Sequence, residues 1–159
     1  MRKLALLLLP LLALPACGPA DVAGEYTISV TNRENECGWS NWTEGDQTTG
    51  VPVTVTQDGN DVTAVVGGLT RVLLDPVLGG HTFSGEIHGD GLDLTLYGTR
   101  SQTQGNCTYT TNANLLAEAD GDVLTGEILY TEATNGNPDC DAIAECVTRQ
   151  VFNGTRPPQ

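Results

Sequence analysis

Two histidines, His81 and His88, are the only histidine bases in the chain. A serine or cysteine nucleophile would need one of them beside it to do hydrolytic chemistry. The alternation around them predicts one strand through both, and seven positions along a strand puts them on opposite faces. They therefore do not converge on one catalytic or metal site. No Gly-rich phosphate loop, His-Glu-x-x-His or Gly-x-Ser-x-Gly segment occurs. No catalytic residue, metal ligand or cofactor is assigned, and the reading leans away from an enzyme.

Carboxylates are the more abundant chemistry. Asp58, Asp61, Asp90, Asp93, Asp120 and Asp122 fall in or beside three Asp-Gly turns. Calcium takes about six to eight oxygen ligands, which acidic loops can supply. None of these turns carries calcium-loop spacing, and Asp and Gly are what such turns require on conformational grounds. Asp139, Asp141 and Glu145, lying beside Cys140 and Cys146, form a second acidic group open to the same two readings.

Cys37, Cys107, Cys140 and Cys146 lack the paired spacing of a zinc site. In an exported chain an even set predicts two disulfides, with three connectivities open. The fifth cysteine is of another kind. Arg2 and Lys3 lead into an apolar run from Leu4 to Leu14, which closes with Leu14-Pro15-Ala16-Cys17. A positive head, an apolar core and small residues at a cut site describe a secretory signal peptide. Eleven residues span roughly 16 Å as a helix, about half of a bilayer core, which is too short for a permanent membrane anchor.

With a cysteine just after the cut, the segment resembles the lipobox of bacterial lipoprotein precursors. The resemblance implies cleavage before Cys17, acylation of that residue and attachment to the cell envelope. Pro15 stands where the family prefers a small or β-branched residue. A plain signal peptide cut after Ala20 is the alternative. Gly18 follows the cysteine, where an Asp would resemble an inner-membrane retention signal, so the outer membrane is favoured over the inner. The expected organisation is a signal peptide at 1–16, a lipidated tether at 17–23 and a single β domain at 24–156.

Charge limits the partners. Twenty acidic residues face seven basic ones, a formal net charge of −13, and removing 1–16 takes Arg2 and the only lysine, Lys3, leaving about −15. Nucleic acid and anionic lipid surfaces both need clustered cations, so the membrane is expected as a partner only through acylated Cys17.

The elements that would position any site read as strands. Tyr26, Ile28 and Val30 alternate with Thr27, Ser29 and Thr31; Leu92, Leu94 and Leu96 alternate with Asp93, Thr95 and Tyr97. Similar runs predict eight strands in all, and no helical pattern runs beyond two turns. Tight turns at 58–61, 88–91 and 119–122 alternate with long connections near 34–50, 67–80, 100–106 and 132–145. In a meander this gathers the long loops, and all four cysteines, at one rim. The expected fold is an all-β, antiparallel up-and-down β-barrel, with a β-sandwich as the alternative. Gly24-Glu25-Tyr26 resembles the Gly-x-Trp that opens a lipocalin barrel, and the architecture over 24–153 is similar to the lipocalin and avidin group.

The long-loop rim is where a ligand is expected. Trp39 and Trp42 sit beside Cys37 in the first long loop, and the 67–80 connection carries Leu69, Val72, Leu73, Leu74, Val77 and Leu78. Apolar connections beside tryptophans suit a pocket lining, a lid or a contact surface. An extra strand at 69–74, or a plug that fills the barrel, is the competing reading. The expectation is a small apolar ligand touched by Trp39, Trp42, Leu73 and Leu78. The runner-up is a protein-contacting envelope lipoprotein with a filled barrel.

Overall fold

The computed structural model describes residues 18–158. Cys17 and the expected signal peptide lie outside the described residues. Nine strands run β1 (Gly24–Asn35), β2 (Gln47–Asp58), β3 (Asp61–Val66), β4 (Thr82–His88), β5 (Gly91–Leu96), β6 (Gln102–Gln104), β7 (Cys107–Asp120), β8 (Val123–Thr134) and β9 (Val147–Thr155). One helix, α1 (Gly68–Leu78), joins β3 to β4.

All pairings are antiparallel. β1 to β5 pair in sequence, β7 to β9 do the same, and β9 returns to β1. The β5–β7 ladder, running from Gly91↔Glu118 to Leu96↔Ala113, shuts the cylinder. The fold is a closed eight-strand barrel, with the short β6 added against the start of β7. Closure leaves the eight main strands without bare edges, which disposes of the sandwich alternative.

The alternation works as expected. Tyr26, Ile28, Phe83, Ile87, Leu92, Leu94, Leu96, Leu124 and Tyr130 point inward and are buried. Close packing leaves no room for a side chain at Gly126, where a Cβ would stand 2.1 Å from the Leu116 carbonyl oxygen.

The two ends of the barrel differ. At the tight-turn end, residues 18–23 cross the opening as a cork. The Ala20 amide donates to the Gly89 carbonyl at 2.9 Å, and Gln57 receives the Val22 amide at 2.8 Å while donating to the Ala20 carbonyl at 3.1 Å. Val22 is fully buried as a result. Arg156 completes the closure: it donates to Asp122 at 2.9 Å and to the carbonyls of Ala23 and Asp21, with its guanidinium 5.7 Å from the Tyr26 ring centre.

The 67–80 connection departs from expectation. It is neither a strand nor a filling plug but a three-turn helix, despite the absence of a long helical pattern. Thr70, Leu74 and Leu78 share the inward face at i, i+4 spacing, while Leu69, Val72, Leu73 and Val77 stay largely exposed. Apolar residues on both faces hide the period, and Pro76 lies within the helix. Gly79 ends it at φ 79°, its amide bonding the Asp75 carbonyl at 3.0 Å. The other boundary shifts are smaller: β2 begins four residues before Val51, and β9 runs to Thr155.

Candidate functional site

Two disulfides staple the long-loop end. Cys37 joins Cys146 across 109 residues, tying the tryptophan loop to the approach of β9. Cys107 joins Cys140 across 33, tying β7 to the turn Pro138–Cys140. Asp139 reinforces the second staple by accepting from the backbone amide and side chain of Asn106, at 3.0 and 2.9 Å.

The tryptophan loop is held in a defined shape. The Asn35 side chain accepts from the Trp39 amide and donates to the Trp39 carbonyl, both at 2.9 Å. The Trp42 indole donates to the Arg33 carbonyl at 2.8 Å. These bonds bring the Trp39 ring 5.5 Å from Trp42 and 5.1 Å from Tyr130, while Trp42 and Tyr130 stand 6.4 Å apart. Tyr130 Oη donates to Gln150 at 2.7 Å, and Gln150 in turn donates to Asn32 at 2.8 Å. Burial pushes the Tyr130 phenol well above its ordinary range, so the hydroxyl stays protonated.

Beneath this cluster the barrel is hollow. A cavity of about 220 Å³ is walled by apolar side chains including Ile28, Val55, Ala64, Phe83, Leu94 and Phe152, with Leu73 and Leu74 of α1 above it. An outer vestibule of about 480 Å³ lies between the tryptophan loop and α1. Tyr130, Gln150, Thr48, Leu73 and Leu74 line both chambers, which therefore adjoin.

All four rim residues expected from the sequence are brought together. Trp39, Trp42 and Leu73 line the vestibule; Leu78 lines it too, but as a buried anchor beneath the helix. Sequence reasoning missed Tyr130, Gln150 and Glu132. Tyr130 and Gln150 sit on predicted strands, where alternation announces an inward residue but not whether empty space lies beside it; Glu132 falls at the start of the expected 132–145 connection, into which β8 extends as far as Thr134.

α1 is clamped at its C-terminal end. The Thr99 amide donates to the Leu78 carbonyl at 2.8 Å, its hydroxyl to the Gly79 carbonyl at 3.1 Å, and Arg100 to the Pro76 carbonyl at 3.3 Å. The start of the helix has no side-chain cap at Gly67. That end is tied instead by the backbone, the Gly67 amide donating to the Pro52 carbonyl of β2 at 2.8 Å, so the lid is held at both ends.

The histidines stand at opposite ends of the barrel. His81 precedes β4 with Nδ1 2.7 Å from an oxygen of Asp75, whose carboxyl that contact holds below its usual range. His88 ends β4 beside Glu86 at 3.1 Å. Among the described residues no group of three or more His, Cys, Asp or Glu side chains is arranged to hold a metal ion. Compared with protein families, with curated proteins and with solved structures, the chain matches none of them.

Proposed function

We propose that this protein is a lipid-anchored binding module of the bacterial cell envelope, lipocalin-like in architecture, that takes up the apolar part of a small amphipathic ligand. The observation that carries this reading is the apolar cavity of about 220 Å³ beneath α1, continuous with a vestibule lined by Trp39 and Trp42. Apolar cavities of about 150 Å³ already bind benzene-sized molecules. A barrel of eight strands can be filled by side chains, and here it is not.

The anchor and the mouth lie at opposite ends. Gly18, the first described residue, leads into the cork at the tight-turn end, and an acyl group on Cys17 would hold that end against the bilayer. Two or more acyl chains suffice for stable attachment without help from protein charge. The mouth then faces away from the anchoring membrane, open to ligands arriving from solution or from another protein.

Titration with N-phenyl-1-naphthylamine tests the binding reading. The probe is expected to brighten saturably, with energy transfer from the tryptophans, and to be displaced by short aliphatic alcohols. Ala64→Phe, which fills the cavity, is expected to remove the signal while the circular dichroism spectrum is kept. No brightening with the native protein would defeat the reading. Anchoring is tested separately by intact mass from the native membrane: acyl mass on a chain beginning at Cys17 is expected, and a lipid-free chain beginning later would overturn it.

A second reading is favoured by the outer face of α1, where Leu69 is 85% and Val72 63% exposed. Such a surface suits docking to an envelope protein. Crosslinking to a partner that is lost in Leu69→Ser/Val72→Ser, with probe binding retained, would support it.

A further inference from the structure

The vestibule has a sign. Among the residues lining either chamber, Glu132 is the single charged one. It is 8% exposed, and no ion pair among the described residues includes it. Among the described residues its carboxylate receives one hydrogen bond, from Thr111 Oγ1 to Oε2 at 2.7 Å, and Oε1 has no protein donor. A carboxylate largely shielded from water, with no counter-charge beside it, is stabilised when a cation arrives.

The position of Glu132 matters as much as its charge. It lies two residues beyond Tyr130 on β8, on the same face, roughly 7 Å further toward the rim. Tyr130 marks the junction of the two chambers, so a ligand whose apolar body fills the inner one places its head at Glu132. The same vestibule is lined by Trp39, Trp42, Tyr109 and Tyr130, and the faces of such rings attract cations. The amide oxygens of Asn32, Gln102 and Gln150 already accept from Gln150, Tyr109 and Tyr130, and no lysine, arginine or histidine lines the vestibule to receive an anion. The strongly negative chain as a whole draws cations toward the mouth and repels anions.

Resting on the binding reading above, we infer that the ligand is a cationic amphipath: an ammonium or amidinium head at Glu132 and the tryptophans, on a short apolar body seated in the barrel. A fatty acid of the same length fits the cavity but meets a carboxylate at its head. The inner chamber is also smaller than the roughly 300–1,000 Å³ of drug-sized sites, which favours a single short chain or ring over a double-chained lipid.

Calorimetric titration of the mature protein with octyltrimethylammonium, 1-octanol and octanoate tests this, since the three share one tail. The cation is expected to bind about tenfold or more tighter than the alcohol, the scale of one desolvated charge contact, with octanoate weakest. Glu132→Gln keeps an acceptor for Thr111 and is expected to erase the cation's advantage, weakening the cation far more than octanol, whose hydroxyl can bond the amide as well as the carboxylate. Trp42→Leu is expected to weaken the cation more than the alcohol. Octanol or octanoate binding as tightly as the cation, or a preference that survives Glu132→Gln, overturns the inference and leaves the barrel a general apolar binder. Binding of none of the three, with the naphthylamine probe also silent, overturns the binding reading itself.

Discussion

Tyr26 closes the cork end of the barrel with its hydroxyl buried and without a hydrogen-bond partner among the described residues. A buried donor left unmade is a cost that phenylalanine would not carry. Tyr26→Phe is therefore expected to leave stability unchanged or raise it by up to ~1 kcal/mol in thermal melts. Destabilisation would mean the hydroxyl has a bonding role. On the outer wall, Arg149 bridges Glu34 at 2.7 Å and Glu127 at 3.1 Å. Hydrogen bonding to Arg149 is the main cause that lowers the Glu34 pKa from 4.5 to about 2. A depressed carboxyl favours the folded state above its unfolded pKa, and that contribution fades as pH falls from 4.5 toward 2. Glu34→Gln is expected to lower the melting temperature slightly at neutral pH, the pair being exposed, and the difference from the native protein should vanish as pH falls through that window.

The elements around the mouth owe their shape to covalent and hydrogen-bonded ties more than to local propensity. The Cys37–Cys146 link closes a loop of 109 residues and the Cys107–Cys140 link one of 33. In the chain-entropy view the longer closure contributes about 1 kcal/mol more. Cys37→Ser/Cys146→Ser is thus expected to lower the melting temperature further than Cys107→Ser/Cys140→Ser. It also frees the loop of Trp39 and Trp42, so tryptophan emission should shift to the red and probe affinity should fall. An equal loss from both pairs would show that neither loop length nor the aromatic cluster sets the difference. Gly126, on β8, makes the opposite point about tightness. Gly126→Ala would push a methyl against the Leu116 carbonyl and is expected to cost about 1–3 kcal/mol.

At the scale of the whole molecule, the described barrel has polarity along its axis: the cork of residues 18–23 at one end, lid, tryptophans and disulfides at the other. Reconstitution on vesicles of brominated phosphatidylcholine, in the acylated form proposed above, tests what this polarity implies. With the anchor at the cork end, Trp39 and Trp42 stand far from the bilayer, so bromine in the acyl chains should not quench them, while soluble acrylamide should. Quenching by the brominated lipid would mean that the mouth, with the apolar face of α1, rests on the membrane, and the outward-facing arrangement would be abandoned.

The architecture was legible in the chain for a local reason. Inward and outward residues alternate with period two, Asp-Gly steps accept the backbone of tight turns, and long and short connections alternate, so a meander with one crowded rim follows without any tertiary information. The same order of connections put four cysteines and two tryptophans at that rim. Local pattern could not pair the cysteines, because all three connectivities satisfy the same rim. Nor could it show α1, whose apolar residues lie on both faces since one faces the cavity and the other remains open. Above all, it could not show that the barrel is hollow or that Glu132 stands over the hollow. A cavity is a property of side chains brought together from seven or more strands, each of which reads the same whether its neighbours meet or leave a gap. Tertiary structure alone decided that the inward faces of this barrel enclose space, and that the one charge beside that space is negative.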